Sequence, residues 1–206
     1  MSKPSIAFNS LEYWRNRYAK GQNSGGGSYG QVAEFKAVVL NRFIREYEIA
    51  RCIEFGCGDG NQLGLLKIPE YLGLDVAPDA IDLCVNKFVG DPTKSFLLYD
   101  PGHFVNNSFI TAELTLSMDV ILHLVEEEVY TSYMHSLFAA SSKYVAIFTT
   151  ATDTQPSRMA AHNKFRDHRR WISKNSTYQE IEVALAPNDM GYPDGTGFYF
   201  YSAKKS

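Results

Sequence analysis

The sequence predicts an α/β fold, a doubly wound and mostly parallel sheet, on three observations. Short apolar strands alternate with amphipathic helices from Gln31 to Thr150. One strand runs into a glycine-rich turn, RCIEFGCGDGNQLGLL (Arg51–Leu66), with Gly56, Gly58 and Gly60 at alternate positions. Two strand-like stretches close the chain, Tyr178–Leu185 and Gly197–Ser202, alternating as a hairpin does. Sheets of this kind bind ligands at the C-terminal ends of their strands.

With 206 residues, 45% of them hydrophobic, the chain suits one sizeable core and is read as one domain, 1–206. A net charge of −3 and a pI of about 6.0 give no electrostatic case for a nucleic-acid partner. Cys52, Cys57 and Cys84 are odd in number and lack metal-ligand spacing, so they read as reduced cytosolic thiols and no metal site is expected. MSKPSIAFNSLEYW has no apolar secretory core and no run approaches a membrane span, which fits a cytoplasmic location.

In chain order, Ser10–Lys20 reads as a short helix with Leu11, Trp14 and Tyr18 at helical spacing, mainly for packing. The loop GQNSGGGSYG (Gly21–Gly30) is either a flexible connector or a lid, and Tyr29 is its residue best suited to face a ligand. Residues 1–30 thus precede a core of 31–206. Gln31–Glu48 is amphipathic, with Val32, Phe35, Val39, Leu40, Phe43, Ile44 and Tyr47 on one stripe. A strand ends at Glu54, and an apolar helix start is expected after the glycine turn. The second strand (Tyr71–Leu74) ends in Asp75, and a helix follows Pro78. The third strand (Ser95–Tyr99) closes with Asp100, and the crossover after it is short or irregular. Glu113–Val125 is a strand running into a loop, Glu126–Ser141 a helix, and Lys143–Thr150 the fifth strand.

The glycine turn departs from the dinucleotide fingerprint G-x-G-x-x-G, because Asn61 fills the third glycine slot. Glu54 and Asp59 frame it with carboxylates, which repel a pyrophosphate and suit a cationic nucleoside. Asp75 lies 21 positions beyond Glu54, near the spacing of an acid that accepts from a ribose. A carboxylate fits that task because its two oxygens can take both hydroxyls.

Apolar strand, acid, G-x-G-x-G and a second strand-end acid together resemble the class I S-adenosylmethionine (SAM)-dependent methyltransferases. The resemblance spans about Val32 to Ala203. It implies a Rossmann-like, doubly wound seven-stranded sheet with an antiparallel last strand, and SAM as cofactor. It assigns Glu54, Gly56, Gly58, Asp59 and Gly60 to the cofactor, with Asp75 and Val76 at the second strand end. Asp100 matches a slot that accepts from the adenine amino group, its rival role being a turn aspartate before Pro101. SMDVILHL (Ser117–Leu124) resembles the motif whose strand end lies beside the transferring methyl group, with Ser117 on the cofactor side.

Asp119 and His123 are the polar residues of that apolar run and the candidate catalytic pair. A histidine has a reference pKa of about 6.5 and is the natural proton acceptor; an aspartate four residues earlier either orients it or takes the proton itself. Their alternatives are a hydrogen-bonded core histidine and an aspartate that holds backbone amides. After the fifth strand, HNKFRDHRRW crowds His162, Lys164, Arg166, His168, Arg169 and Arg170 together. In a helix, His162, Arg166 and Arg170 share a face. That face is either solvated or holds an anionic acceptor.

YW-RY, SGGGSYG, EFGCGDG, SMDVILHL and the basic segment are similar to methyltransferases of bacterial surface-polysaccharide gene sets. That similarity implies O-methylation of a sugar hydroxyl in glycan biosynthesis, a small carbohydrate acceptor and no nucleic-acid partner. A methyltransferase for RNA, protein or another metabolite, or a non-catalytic SAM-binding module, are the alternatives.

Overall fold

Successive residues of the central strands go to opposite faces of one sheet, and both faces are covered. In the computed structural model, residues 8–204 are described. The chain runs α1 (Ser10–Ala19), α2 (Gly30–Glu46), β1 (Arg51–Phe55), β2 (Glu70–Asp75), α3 (Pro78–Lys87), β3 (Lys94–Leu98) and β4 (Ala112–Met118). It continues through α4 (Glu127–Ala139), β5 (Ser141–Thr150), α5 (His168–Asn175), β6 (Tyr178–Leu185) and β7 (Thr196–Ala203). The strand order is β3-β2-β1-β4-β5-β7-β6, with β7 antiparallel to both its neighbours and the other pairs parallel. The predicted seven-stranded, mostly parallel Rossmann-like sheet with an antiparallel last strand is present.

Cys52, Ala146, Phe148, Phe198 and Phe200 face α2, while Ile53, Phe55, Val145, Ile147, Tyr199 and Tyr201 face α4. Phe43 of α2 stacks on Phe200 with ring centroids 4.2 Å apart. Truncating such a buried ring costs about 3–5 kcal/mol. The β1-β4 neighbour pair reverses the direction of strand progression, so the ligand crevice opens above the ends of these two strands.

One expected helix start is corrected, and the helix that would have aligned the basic residues does not form. The segment after the glycine turn makes only one 3-10 turn, Leu63–Leu65. Gly64 weakens a helix there, and Pro69, next to β2, cannot donate a helical hydrogen bond. The basic segment is irregular until His168, where the Asp167 side chain accepts from the Arg169 amide and starts α5. His162, Arg166 and Arg170 therefore do not share a helix face. The crossover after β3 is irregular, as expected, from Asp100 to Thr111. Among the described residues no helix is long and apolar enough to cross a membrane.

Candidate active site

Three glycines hold the turn after β1 in the left-handed region, Gly56 at φ 83°, Gly58 at 59° and Gly60 at 69°. Side chains are also excluded sterically. A Cβ on Gly56 would lie 2.5 Å from Val120 Cγ2, and one on Gly58 would lie 2.3 Å from Ser24 Oγ. The Gly56 and Cys57 amides donate to the Leu74 carbonyl at 2.7 and 3.0 Å, which ties the turn to β2.

A pocket of about 770 Å³, counted with its mouth, opens against this turn. Glu54, Gly56, Gly58, Asp75 and Val76 line it from β1 and β2, and Asp119 and His123 from beyond β4. The two groups predicted separately from the sequence thus meet in one cavity. Asp75 is buried and accepts from the Gly58 amide at 2.9 Å and the Ala77 amide at 3.0 Å, one on each oxygen. Burial nevertheless raises its pKa. Each oxygen keeps acceptor capacity for a further partner. Glu54 accepts from the Tyr71 hydroxyl at 2.6 Å, and burial pushes its pKa up to about 7.

The remaining expected cofactor residues lie outside the pocket lining. Burial works against ionised Asp59, but hydrogen bonds from the Ser24 amide, the Tyr29 hydroxyl and the Asn61 amide hold its pKa below the ordinary value. Gly60 packs against Cys84 and Phe88. The Ser117 hydroxyl lies 2.8 Å from that of Tyr133, between β4 and α4. Asp100 folds back to accept from the Gly102 amide at 2.9 Å, and Tyr99 and Pro101 line the pocket in its place.

Several lining residues had not been singled out in the sequence. Lys36 of α2 is fully buried, with its Nζ 2.8 Å from Asp119 Oδ2. Its place on the inner face, between Ala33 and Leu40, was the available signal. Gln62 donates to the Ala33 carbonyl, while its buried Oε1 has no partner among the described residues. No sequence pattern marks it. Trp14 and Tyr18, read as packing residues, roof the pocket.

That roof is fastened on several sides. The Ser10 amide and hydroxyl both donate to Glu126, and Arg15 Nε donates to the Val76 carbonyl at 2.9 Å. Tyr18 pairs with Ser24 at 2.8 Å; the Ser24 amide donates to Asp59, and the Asp59 amide donates to Ser24 Oγ. The glycine-rich loop is therefore pinned to the β1 turn. The Tyr29 hydroxyl is spent on Asp59 at 2.7 Å and does not reach the pocket.

Asp119 sits just past β4 at φ 57°, a left-handed conformation that aspartate tolerates at modest cost. A Cβ on Gly27 would lie 2.5 Å from its Oδ2, so the glycine loop touches this carboxylate as closely as backbone allows. His123 Nδ1 lies 3.2 Å from the His162 carbonyl, which makes Nδ1 the donor and leaves Nε2 as the acceptor nitrogen. Trp14 meets the His123 ring edge-on at 4.9 Å. Burial drives the His123 pKa down to about 4, below the reference value expected from the sequence.

His162 joins this end of the site, stacked on Tyr13 at 4.6 Å. Arg166 and Arg170 do not. Arg166 donates to the Leu124 and Val125 carbonyls and pairs with Glu127, while Arg170 pairs with Asp153 at 2.6 Å.

No protein-family model matches the chain, and no curated protein matches it in sequence. Solved structures match it in fold. Magnesium protoporphyrin IX methyltransferase (ChlM) from Synechocystis PCC 6803 with bound SAM gives a TM-score of 0.68 at 12% identity, over 98% of this chain and 100% of that one. N-methyltransferase NodS from Bradyrhizobium japonicum WM9, in complex with S-adenosyl-L-homocysteine, gives 0.68 at 13% identity, over 96% and 100%. CalS10, an amino pentose methyltransferase from Micromonospora echinaspora involved in calicheamicin biosynthesis, gives 0.63 at 13% identity, over 98% and 100%. At such identities the likeness establishes architecture, and the chain has the seven-stranded Rossmann-like α/β fold of these methyltransferases.

Proposed function

We propose that this chain is a SAM-dependent methyltransferase that O-methylates a hydroxyl of a small carbohydrate acceptor, in the cytoplasm, as a step of glycan biosynthesis. The observation that carries the proposal is one pocket lined at once by Glu54, Asp75, Asp119 and His123. Fold relatives with bound SAM or S-adenosyl-L-homocysteine, and an amino pentose methyltransferase among them, support it.

The residues present fit the cofactor. The remaining acceptor capacity of Asp75 suits the ribose hydroxyls, while Glu54 and the orphaned Gln62 Oε1 suit an ammonium. Gly56 and Gly58 allow close backbone approach, and Val76, Tyr99 and Pro101 form an apolar wall for the base. Asp59, Gly60, Asp100 and Ser117 support this cradle through the turns they brace.

SAM supplies an electrophilic methyl group on a sulfonium. The chain's own contribution is largely positional: an acceptor held between Trp14, Asp119 and His123 is brought to near-attack contact. His123 Nε2 receives the hydroxyl proton, because Nδ1 is committed to the His162 carbonyl. Asp119, fixed by Lys36, holds the acceptor hydroxyl or takes the proton in place of His123.

Calorimetry tests the cofactor half. SAM should bind, NAD should not, and Asp75→Ala should weaken SAM binding by about 1.5–3 kcal/mol. Mass spectrometry of sugar acceptors incubated with SAM should show a gain of one methylene; tight NAD binding would overturn the assignment.

A further inference from the structure

Beyond the floor formed by Asp119 and His123, a second chamber opens outward, sharing Trp14 and Ser24 with the cofactor-side pocket. Tyr13 and His162 stack at 4.6 Å with planes 10° apart, and the Gly25–Gly27 backbone and Tyr192 complete the walls. Aromatic faces and side-chain-free backbone suit a flat or saturated ring.

The charge at this chamber is uneven. Arg17 lines it, with Nε donating to the Asn23 carbonyl at 2.7 Å and the guanidinium 5.7 Å from the Trp14 ring centre. Among the described residues it forms no ion pair, whereas Arg166 is paired with Glu127, Arg170 with Asp153 and Asp119 with Lys36. Burial and the neighbouring Arg17 both lower the His162 pKa, which favours the uncharged ring. Arg17 is therefore the unpaired charge of the chamber, and guanidinium groups favour phosphate or carboxylate.

We propose that this chamber seats an acceptor ring bearing an anionic group, phosphate or carboxylate, which pairs with Arg17 while a ring hydroxyl reaches Asp119 and His123. This rests on the methyltransferase assignment and names its acceptor class. A cation at the rim and a proton acceptor at the floor orient the ring, so one hydroxyl is presented for transfer.

The test titrates the full chain, saturated with S-adenosylhomocysteine, with glucose 1-phosphate, glucuronate and uncharged methyl glucoside, following tryptophan fluorescence and calorimetry. At least one anionic sugar should bind ~10-fold or more tightly than methyl glucoside. The tighter of the two identifies phosphate or carboxylate as the recognised group. Arg17→Gln should abolish the preference, Arg17→Lys should restore part of it, and Arg170→Gln should leave it unchanged. S-adenosylhomocysteine affinity should hold within about twofold in Arg17→Gln, separating anion recognition from a damaged roof. Equal binding of all three sugars, or a preference that survives Arg17→Gln, overturns the inference alone. Failure of the wild-type chain to bind S-adenosylhomocysteine overturns the methyltransferase assignment itself.

Discussion

Lys36 Nζ lies 2.8 Å from Asp119 Oδ2, and the lysine side chain is wholly buried between α2 and the sheet. A lysine is rarely enclosed unless a partner compensates its charge, and here the partner is the carboxylate beyond β4. The Lys36 ammonium also lies over the Phe148 ring, 5.2 Å from its centre. Lys36→Met should therefore destabilise the fold by about 1–3 kcal/mol, because it leaves Asp119, which still meets the pocket, without its counter-charge. Lys36→Met combined with Asp119→Asn should recover part of that loss. Urea unfolding of both single variants and the double variant measures the coupling, and strict additivity would show that the pair contributes nothing.

Glu54 sets a pH dependence for cofactor binding. Burial raises its pKa to about 7, so near neutrality its proton competes with a bound cation. In the free chain, a carboxyl raised above its ordinary value favours folding when protonated. That stability is present below about pH 4.5 and is lost as pH rises through 7. Cofactor affinity runs the other way. SAM affinity should fall by up to about tenfold per pH unit below 7 and level off above 8. Calorimetry from pH 5.5 to 8.5 should show this slope in wild type and none in Glu54→Gln. An unchanged slope in the variant assigns the proton to another group.

The glycine-turn side of the pocket was legible because it lies at the strand ends. Glu54 lies one residue before the end of β1 and Asp75 closes β2, and the glycines between them have few other uses. The Asp119 side is assembled by distant contacts that local pattern does not encode. Lys36 lies in a helix read by its apolar stripe, and only its Ala33 and Leu40 neighbours marked it as inward-facing. Tyr29 appeared suited to a ligand, but its hydroxyl is taken by Asp59, 30 residues away. Only in a helix would His162, Arg166 and Arg170 have shared a face, and the helix starts at His168, after the Asp167 cap. Composition gave its charge, whereas the chain path determined which charges are already paired.

Arg166 illustrates that pairing. Its guanidinium donates to the Leu124 carbonyl at 2.7 Å and the Val125 carbonyl at 3.0 Å, and it sits 4.4 Å from the Tyr130 ring centre. It thus braces the segment that follows His123. Arg166→Ala should lower stability by about 1.5–3 kcal/mol and reduce kcat, while changing the KM for an anionic acceptor less than Arg17→Gln does. Thermal unfolding and steady-state kinetics decide. A raised KM with unchanged stability would return the acceptor's anion to Arg166.

His123 carries the final prediction. The His162 carbonyl fixes its Nδ1 as donor, Trp14 encloses the ring, and burial lowers its pKa to about 4. A histidine lowered in this way is unprotonated throughout the neutral range. The acid limb of kcat/KM for the acceptor, at saturating SAM, should therefore lie near pH 4, not near the ordinary ~6.5. Stability follows the same sign: it is present above about pH 6.5 and lost as pH falls toward 4, because the unfolded chain takes up the proton first. His123→Ala should lower kcat by roughly 10²–10⁴-fold with SAM affinity nearly unchanged. Asp119→Asn should have an effect of similar size if the carboxylate orients the acceptor or accepts its proton. The pH–rate profile separates the two roles. If His123 is the base, the acid limb disappears in His123→Ala and persists in Asp119→Asn. A fully active His123→Ala enzyme alongside an inactive Asp119→Asn enzyme moves the base to Asp119. If both variants keep wild-type turnover, no side chain here takes the proton, and positioning alone carries the reaction.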